Sequence, residues 1–309
     1  MKTINIFFPC LLIIQCFLLT SCSKNDEINE PKTPIPLDKL SSGSGSFSYT
    51  YDVISYTKTL AVYYYIPTTK IATTPILFVF HGTDRNAKDY RDAMVAKAEL
   101  LGFILLVPEF SEQDFPGGDA YNLGNVFVDG DNPSPSTLHP ENEWTFSIIE
   151  PLFDFVKTQV DNSTSQYDVF GHSAGGQFAH RFLLFKPYAR VGKTVVSASG
   201  WYTFPDTSIN FPYGLSQSPL LGMSIPGFLS KKVYIQVGEN DDNPNDSGLR
   251  HNEYADAQGL NRKERAIYFF QFCQQLSVPT SFNWSFHFIE NADHDYIKAS
   301  EKAATLLFN

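Results

Sequence analysis

The chain has 309 residues, 43% of them hydrophobic, and a formal net charge of -10. That length holds one large domain or two small ones, with apolar side chains enough for a sizeable core. The acidic balance argues against nucleic acid as a partner and gives no pull toward anionic membranes.

Residues 1–21 read as a leader outside the fold. Lys2 supplies a short positive region, and residues 4–19 form an apolar run too short and wrongly flanked for a spanning helix. The run ends in Leu19-Thr20-Ser21-Cys22, which resembles a bacterial lipobox with cleavage before Cys22 and lipid on its sulfur. An ordinary signal peptide cleaved nearby is the alternative. By the same resemblance Ser23, rather than Asp, after the cysteine implies export to the outer membrane, and the charged run Lys24-Asn25-Asp26-Glu27 resembles the surface-export tag of Bacteroidetes lipoproteins. The resemblance implies an exported lipoprotein at the outer membrane or cell surface of a Gram-negative bacterium. Cys10 and Cys16 leave with the leader and Cys22 carries lipid, so only Cys273 remains and no internal disulfide is expected. Cys273 falls among Phe269, Phe270 and Phe272 and reads as a small buried hydrophobe. Residues 22–45 are rich in Pro, Ser, Gly and charge and read as a flexible tether, with the catalytic domain over 46–309.

Within the domain, 46–54 and 59–66 predict an antiparallel pair of opening strands. The continuous apolar run 75–80 predicts a strand buried on both faces. Helix 86–101, strand 103–107, a long helix over 141–160 and strand 167–170 follow. After the next helix come strands 191–197 and 232–237, helix 260–276, strand 282–289 and a last helix over 296–308. Strands alternating with helices imply an α/β fold with a mostly parallel sheet covered on both faces. Two long segments, 110–140 and 201–230, have no clear period and each follows the C-terminal end of a strand, the edge where open α/β sheets hold ligands. Both are expected to wall the pocket, with Tyr121, Phe127, Trp144, Trp201, Tyr202 and Phe204 as candidates and Trp201, Tyr202 and Tyr121 as the expected substrate contacts.

The chemistry centres on Gly171-His172-Ser173-Ala174-Gly175, between the apolar strand 167–170 and a helix marked by Phe178, Phe182 and Phe185. A serine at the apex of a sharp strand-to-helix turn is a nucleophile elbow. The glycines permit the close backbone approach, and the following helix aims its N-terminal N–H groups at the serine oxygen. A tightly packed glycine turn without chemistry is the bland alternative.

A serine hydroxyl needs a base, usually histidine oriented by a carboxylate, and with this elbow the partners follow in the order Ser, acid, His. His294 lies in the loop between the last strand and last helix and is the expected base, whereas His287 falls inside the strand pattern. The acid is expected after strand 232–237, at Asp241, with Asp242 the close alternative and Glu239 a distant third. Asp241, Asn243, Asn245 and Asp246 leave a calcium loop or a solvated acidic loop as other readings, although their spacing is not that of an EF-hand. No metal and no cofactor is expected. The oxyanion of the tetrahedral intermediate needs two N–H donors, assigned to Ala174 and to Thr83 in the His81-Gly82-Thr83 turn. His81 itself reads as a structural hydrogen bonder.

These motifs, with Ala87 and Tyr90 behind the turn, the Gly102-Phe103 to Pro108-Glu109 stretch and Gly176, resemble the α/β-hydrolases, and most nearly the esterase branch related to secreted polyhydroxybutyrate depolymerases and feruloyl esterases. The resemblance spans most of the domain from about residue 75 onward. It implies a cofactor-free serine esterase acting through an acyl-enzyme on an extracellular ester: a plant-polymer acyl group, an acetylated glycan or a polyester. A serine peptidase on the same fold and a non-catalytic glycan- or lipid-binding surface lipoprotein are the competing readings. The oligomeric state stays open.

Overall fold

The computed structural model describes residues 39–277 and 281–309. Cys22, the leader and the tether up to residue 38 lie outside the described residues. Among the described residues no helix is long and apolar enough to cross a membrane.

Eight strands form one sheet: β1 (Gly43–Val53), β2 (Tyr56–Ile66), β3 (Ile76–Phe80), β4 (Ile104–Pro108), β5 (Tyr167–His172), β6 (Val191–Ser197), β7 (Lys232–Gly238) and β8 (Trp284–Ile289). Their order is β1-β2-β4-β3-β5-β6-β7-β8. β1 and β2 pair antiparallel with each other, β2 pairs antiparallel with β4, and every other pairing is parallel. β3 and β4 are buried at every position, as expected of strands covered on both faces. β1 instead alternates, burying Phe47, Tyr49 and Tyr51 on one side of an edge strand. Its pairing with β2 runs from Gly43↔Ile66, so the fold begins inside the stretch expected to be tether. The glycine- and serine-rich residues 43–45 have the composition of a linker, yet they pair with β2 and extend the expected strand by three residues.

Alternation along the strands sends side chains to two cores. Leu77 and Val79 face α1 (Ala87–Leu101) and α8 (Tyr296–Phe308). Phe78 and Phe80 face a larger core that includes α3 (Ile149–Gln159), α4 (Ala174–Phe185) and α7 (Arg262–Leu276). Short helices α2 (Gly117–Ala120), α5 (Ile225–Leu229) and α6 (Glu253–Asp256) lie in the connections.

The single long helix expected over 141–160 is not formed. Two 3-10 turns, Glu141–Glu143 and Thr145–Ile148, precede α3, with Trp144 extended between them. Pro151 explains the break: it has no N–H to give the carbonyl four residues back, and it is tolerated only in the first turn of a helix.

The site position follows from the topology. The registers align Phe80 with Gly171, His172 with Ser197, Ser197 with Gln236 and Gly238 with Ile289. The C-terminal ends of β3, β5, β6, β7 and β8 therefore share one edge. The chain leaves β3 toward β4 on one side and resumes at β5 on the other. That reversal opens a crevice at the β3/β5 switch point.

Candidate active site

Ser173 stands at that switch point. β5 ends at His172, α4 begins at Ala174, and Ser173 between them has φ 57° and ψ -119°. Positive φ is costly for a non-glycine residue and persists where the surroundings impose it. The packing that imposes it is tight: a Cβ on Gly175 would lie 1.9 Å from the Phe80 carbonyl oxygen. Ala174 is the first residue of α4, so its N–H has no acceptor within the helix and sits at the positive end of the helix dipole.

Thr83 follows β3 on the other side of the crevice. The preceding His81 is fully buried; its Nε2 accepts the Phe110 N–H at 3.0 Å, so Nδ1 carries the proton and donates to the Gly82 carbonyl at 3.0 Å. Tyr121 donates its hydroxyl to the His81 carbonyl at 2.7 Å. His81 thus braces the Gly82-Thr83 turn as a structural hydrogen bonder.

The acid and base loops meet at the ends of β7 and β8. His294 Nδ1 lies 2.8 Å from Asp241 Oδ2. Gly238 makes the meeting possible, because a Cβ there would lie 2.2 Å from the Asp293 carbonyl oxygen. Asp241 is 4% exposed, and its second oxygen faces Arg262 Nη1 at 3.5 Å. Asp242 points outward to Lys263 Nζ at 3.3 Å, and Glu239 accepts the Asn291 N–H at 3.2 Å. Of the three acidic candidates, Asp241 is the one against His294. Arg262 also pairs with Asp246. A guanidinium fills the space between the two carboxylates that the calcium reading would have needed, and the described residues contain no group of three metal-ligating acidic, His or Cys side chains.

His172 lies beneath His294, with ring centroids 4.6 Å apart and planes at 32°. Tyr90 Oη is 2.9 Å from its Nδ1. Burial holds His172 well below the ordinary histidine range, with His294 and Arg262 adding to the effect. A neutral ring there places no like charge beneath His294. His287 is on β8, 2.8 Å from Ser285 Oγ, away from these groups.

Ser173, His294, Thr83, Gly82, His172 and Tyr90 line one cavity of about 460 Å³, together with Asp84, Asn86, Gln177, Gly200, Asp246, Ser247, Gly248, Arg262 and Tyr296. The aromatic wall expected from the two long segments is absent from it. Trp201 is 3% exposed and stacked between the Arg181 and Arg250 guanidinium groups, 4.0 and 4.9 Å from its ring centroid. Tyr202 is fully buried against Phe269 at 4.3 Å, and Tyr121 is fully buried between Phe110 and Phe178. Phe127, Trp144 and Phe204 are likewise core residues. The reason is that every residue of α4 is buried, and the long segments supply the apolar cover for it. Of the residues that do wall the cavity, Arg262, Gln177 and Tyr296 carry no site expectation from sequence, and Asp246 carries only the calcium alternative. Only Gln177, one turn beyond Ser173, carried a local signal.

Three buried histidines give the fold a pH dependence. Burial pushes His81 down to about 4 and holds His172 and His180 well below the usual value. In the unfolded chain each titrates near 6.5, so below that pH the unfolded state binds more protons than the native state. Stability is expected to fall as pH drops from 7 toward 4, by up to about 1.4 kcal/mol per pH unit for each histidine. Urea midpoints at pH 7.5 and 5.0 read this directly; a midpoint that holds or rises on acidification contradicts it.

No protein-family model matches the sequence, and no curated protein matches it. Among solved structures, the chain is similar to poly(aspartic acid) hydrolase-1 from Sphingomonas sp. KT-1, with 35% identity and a TM-score of 0.80 over 87% of this chain and 100% of that one. It is similar to a poly(3-hydroxybutyrate) depolymerase from Bordetella parapertussis, with 27% identity and a TM-score of 0.80 over 87% and 90% of the two chains. An S-formylglutathione hydrolase from Agrobacterium tumefaciens shares the fold at 16% identity and a TM-score of 0.54, over 88% and 97%. With a mostly parallel eight-stranded sheet, a strained serine at its switch point and this relatedness, the chain belongs to the α/β-hydrolase family, as a serine hydrolase of the carboxylic ester hydrolase type.

Proposed function

We propose that Ser173, His294 and Asp241 form the catalytic triad, with the N–H groups of Thr83 and Ala174 as the oxyanion hole. The observation that carries this reading is the 2.8 Å contact of His294 with buried Asp241 beside the cavity that His294 shares with Ser173. Ser173 Oγ attacks the ester carbonyl carbon while His294 Nε2 takes its proton. Asp241 holds the Nδ1–H tautomer and stabilises the imidazolium. The tetrahedral oxyanion takes hydrogen bonds from Thr83 and Ala174. Collapse expels the alcohol, which leaves with the proton from His294, and water then hydrolyses the acyl-enzyme by the same steps in reverse. No cofactor enters the scheme.

The substrate is proposed to be an ester within an extracellular polymer. Two similar structures are hydrolases of polymers. The cavity lining favours an oxygenated substrate over a flat aromatic acyl group: Tyr90 and Tyr296 are its aromatic members, and most of the rest is polar. Amide cleavage is the second reading, favoured by the similarity to a hydrolase of poly(aspartic acid), whose units are joined through amides. Turnover of a p-nitrophenyl ester panel against the matching anilides separates the two. Esters are expected to be cleaved faster; faster anilide hydrolysis would transfer the protein to the second reading.

The protein is further proposed to be an exported lipoprotein held by lipid on Cys22, on the strength of the Leu19-Thr20-Ser21-Cys22 sequence. Stable attachment then depends on that lipid. Cys22→Ala is expected to move the protein from the membrane fraction to the soluble fraction in the native host. Retention in the membrane fraction would contradict the lipobox.

A further inference from the structure

Gln177 is a cavity-facing group that the triad does not use. It sits one turn after Ser173 on α4, its N–H donating to the Ser173 carbonyl at 3.1 Å, so the two residues share a helix face. Its side chain is 8% exposed, and that exposure is to the catalytic cavity. Its Oε1 accepts from Asn122 Nδ2 at 3.0 Å and Arg181 Nη1 at 3.2 Å. A guanidinium only donates, so the amide can stand in one orientation, with Nε2 on the opposite side. That nitrogen faces Gly200, another cavity residue, where an added Cβ would come within 3.0 Å of it. Nε2 has no hydrogen-bond partner among the described residues. It is also absent from the sealed, unpartnered atoms, unlike Arg181 Nη2.

Arg181 strengthens this donor. It is fully buried and bonded to neutral oxygens only, those of Thr203, Asn122 and Gln177, with the Trp201 ring packed over it. A buried cation pulling on Oε1 polarises the amide and makes Nε2–H a better donor. Two donors, one of them a buried cation, therefore hold the free Nε2 amide group in the site, and such a group rewards a substrate that offers it an oxygen and penalises one that does not.

We propose that Gln177 Nε2 is a substrate-recognition donor, which binds an acceptor oxygen of the substrate outside the scissile carbonyl. The ligand class is an oxygenated ester, a hydroxyacyl unit or a polyol ester, as against a plain hydrocarbon ester. The inference rests on Ser173 being the nucleophile, and Ser173→Ala tests that separately by abolishing turnover of every ester.

The test compares selectivity in wild type and Gln177→Met, which keeps the side-chain length and removes the donor. One arm sets p-nitrophenyl 3-hydroxybutyrate against p-nitrophenyl butyrate; the other sets 2-hydroxyethyl butyrate against ethyl butyrate in a pH-stat. The ratio of kcat/KM for the oxygenated over the plain ester is expected to fall about tenfold in one arm. A fall in the first arm places the oxygen on the acyl side, and a fall in the second places it on the alcohol side. If neither ratio changes, the proposal is wrong, and an equal loss on all four esters makes Gln177 an oxyanion donor or a packing residue. Should Gln177→Met fold poorly, Gln177→Glu supplies Arg181 with a carboxylate, and the same ratios are read, since a general charge effect cancels between paired esters.

Discussion

Asp241→Asn is expected to lower kcat on p-nitrophenyl acetate about ten-thousandfold. The environment of the carboxylate gives the reason. Its Oδ1 faces the Arg262 guanidinium at 3.5 Å and its Oδ2 takes the His294 Nδ1–H at 2.8 Å. An asparagine here turns its oxygen to Arg262, which can only donate, and presents its NH2 to His294. The imidazole must then accept at Nδ1 and carry its proton on Nε2, where it cannot take one from Ser173. Asp242→Asn, at an exposed side chain paired with Lys263, is expected to stay within about threefold of wild type. Equal losses in the two variants, or a larger one at Asp242, would place the acid elsewhere.

Ser173→Ala is expected to lower kcat by about a millionfold, leaving the residual catalysis that oxyanion donors and binding provide. The fold should survive the change. Alanine meets the same backbone strain at φ 57° as serine does, and the backbone bonds of Ser173 to Ser197 and Gln177 do not involve the side chain. A melting temperature close to wild type, with turnover lost, separates chemistry from folding. Turnover above a thousandth of wild type would contradict the assignment.

Much of this site is legible in the linear sequence because its parts sit at the ends of strands. Buried parallel strands are continuous apolar runs, and the break after each one marks the sheet edge where chemistry collects. His81-Gly82-Thr83 after β3, Ser173 after β5, the Asp241 loop after β7 and the His294 loop after β8 all follow that rule. Asp241 and Asp242 look alike in the linear sequence, because successive residues in a loop point in different directions; in the fold Asp241 is buried against His294 and Asp242 is exposed beside Lys263.

Illegible parts have two causes. Aromatic residues in 110–140 and 201–230 looked like pocket walls because a loop rich in Phe, Tyr and Trp can either bind a ligand or cover a helix. Phe178, Phe182 and Phe185 mark one face of α4, yet His180 and Arg181 on its other faces are buried too. Nothing in helical spacing announces that. Arg262 was missed for a different reason: it lies 21 positions beyond Asp241, at the start of α7, and reaches the acid only through the folding of the 245–259 segment. Glycines mislead at the N-terminus, where the first three residues of β1, 43–45, have the composition of a tether but pair with β2.

If Ser173 is an activated nucleophile, a fluorophosphonate probe will react with it. The probe forms a stable phosphonyl ester only with a serine whose proton a neighbouring base removes. Digestion and mass spectrometry of the labelled protein should find one adduct, on the peptide carrying Gly171-His172-Ser173-Ala174-Gly175, at a stoichiometry near one and absent in Ser173→Ala. No adduct on the folded wild-type protein, or an adduct on another residue that persists in Ser173→Ala, would show that Ser173 is not the nucleophile.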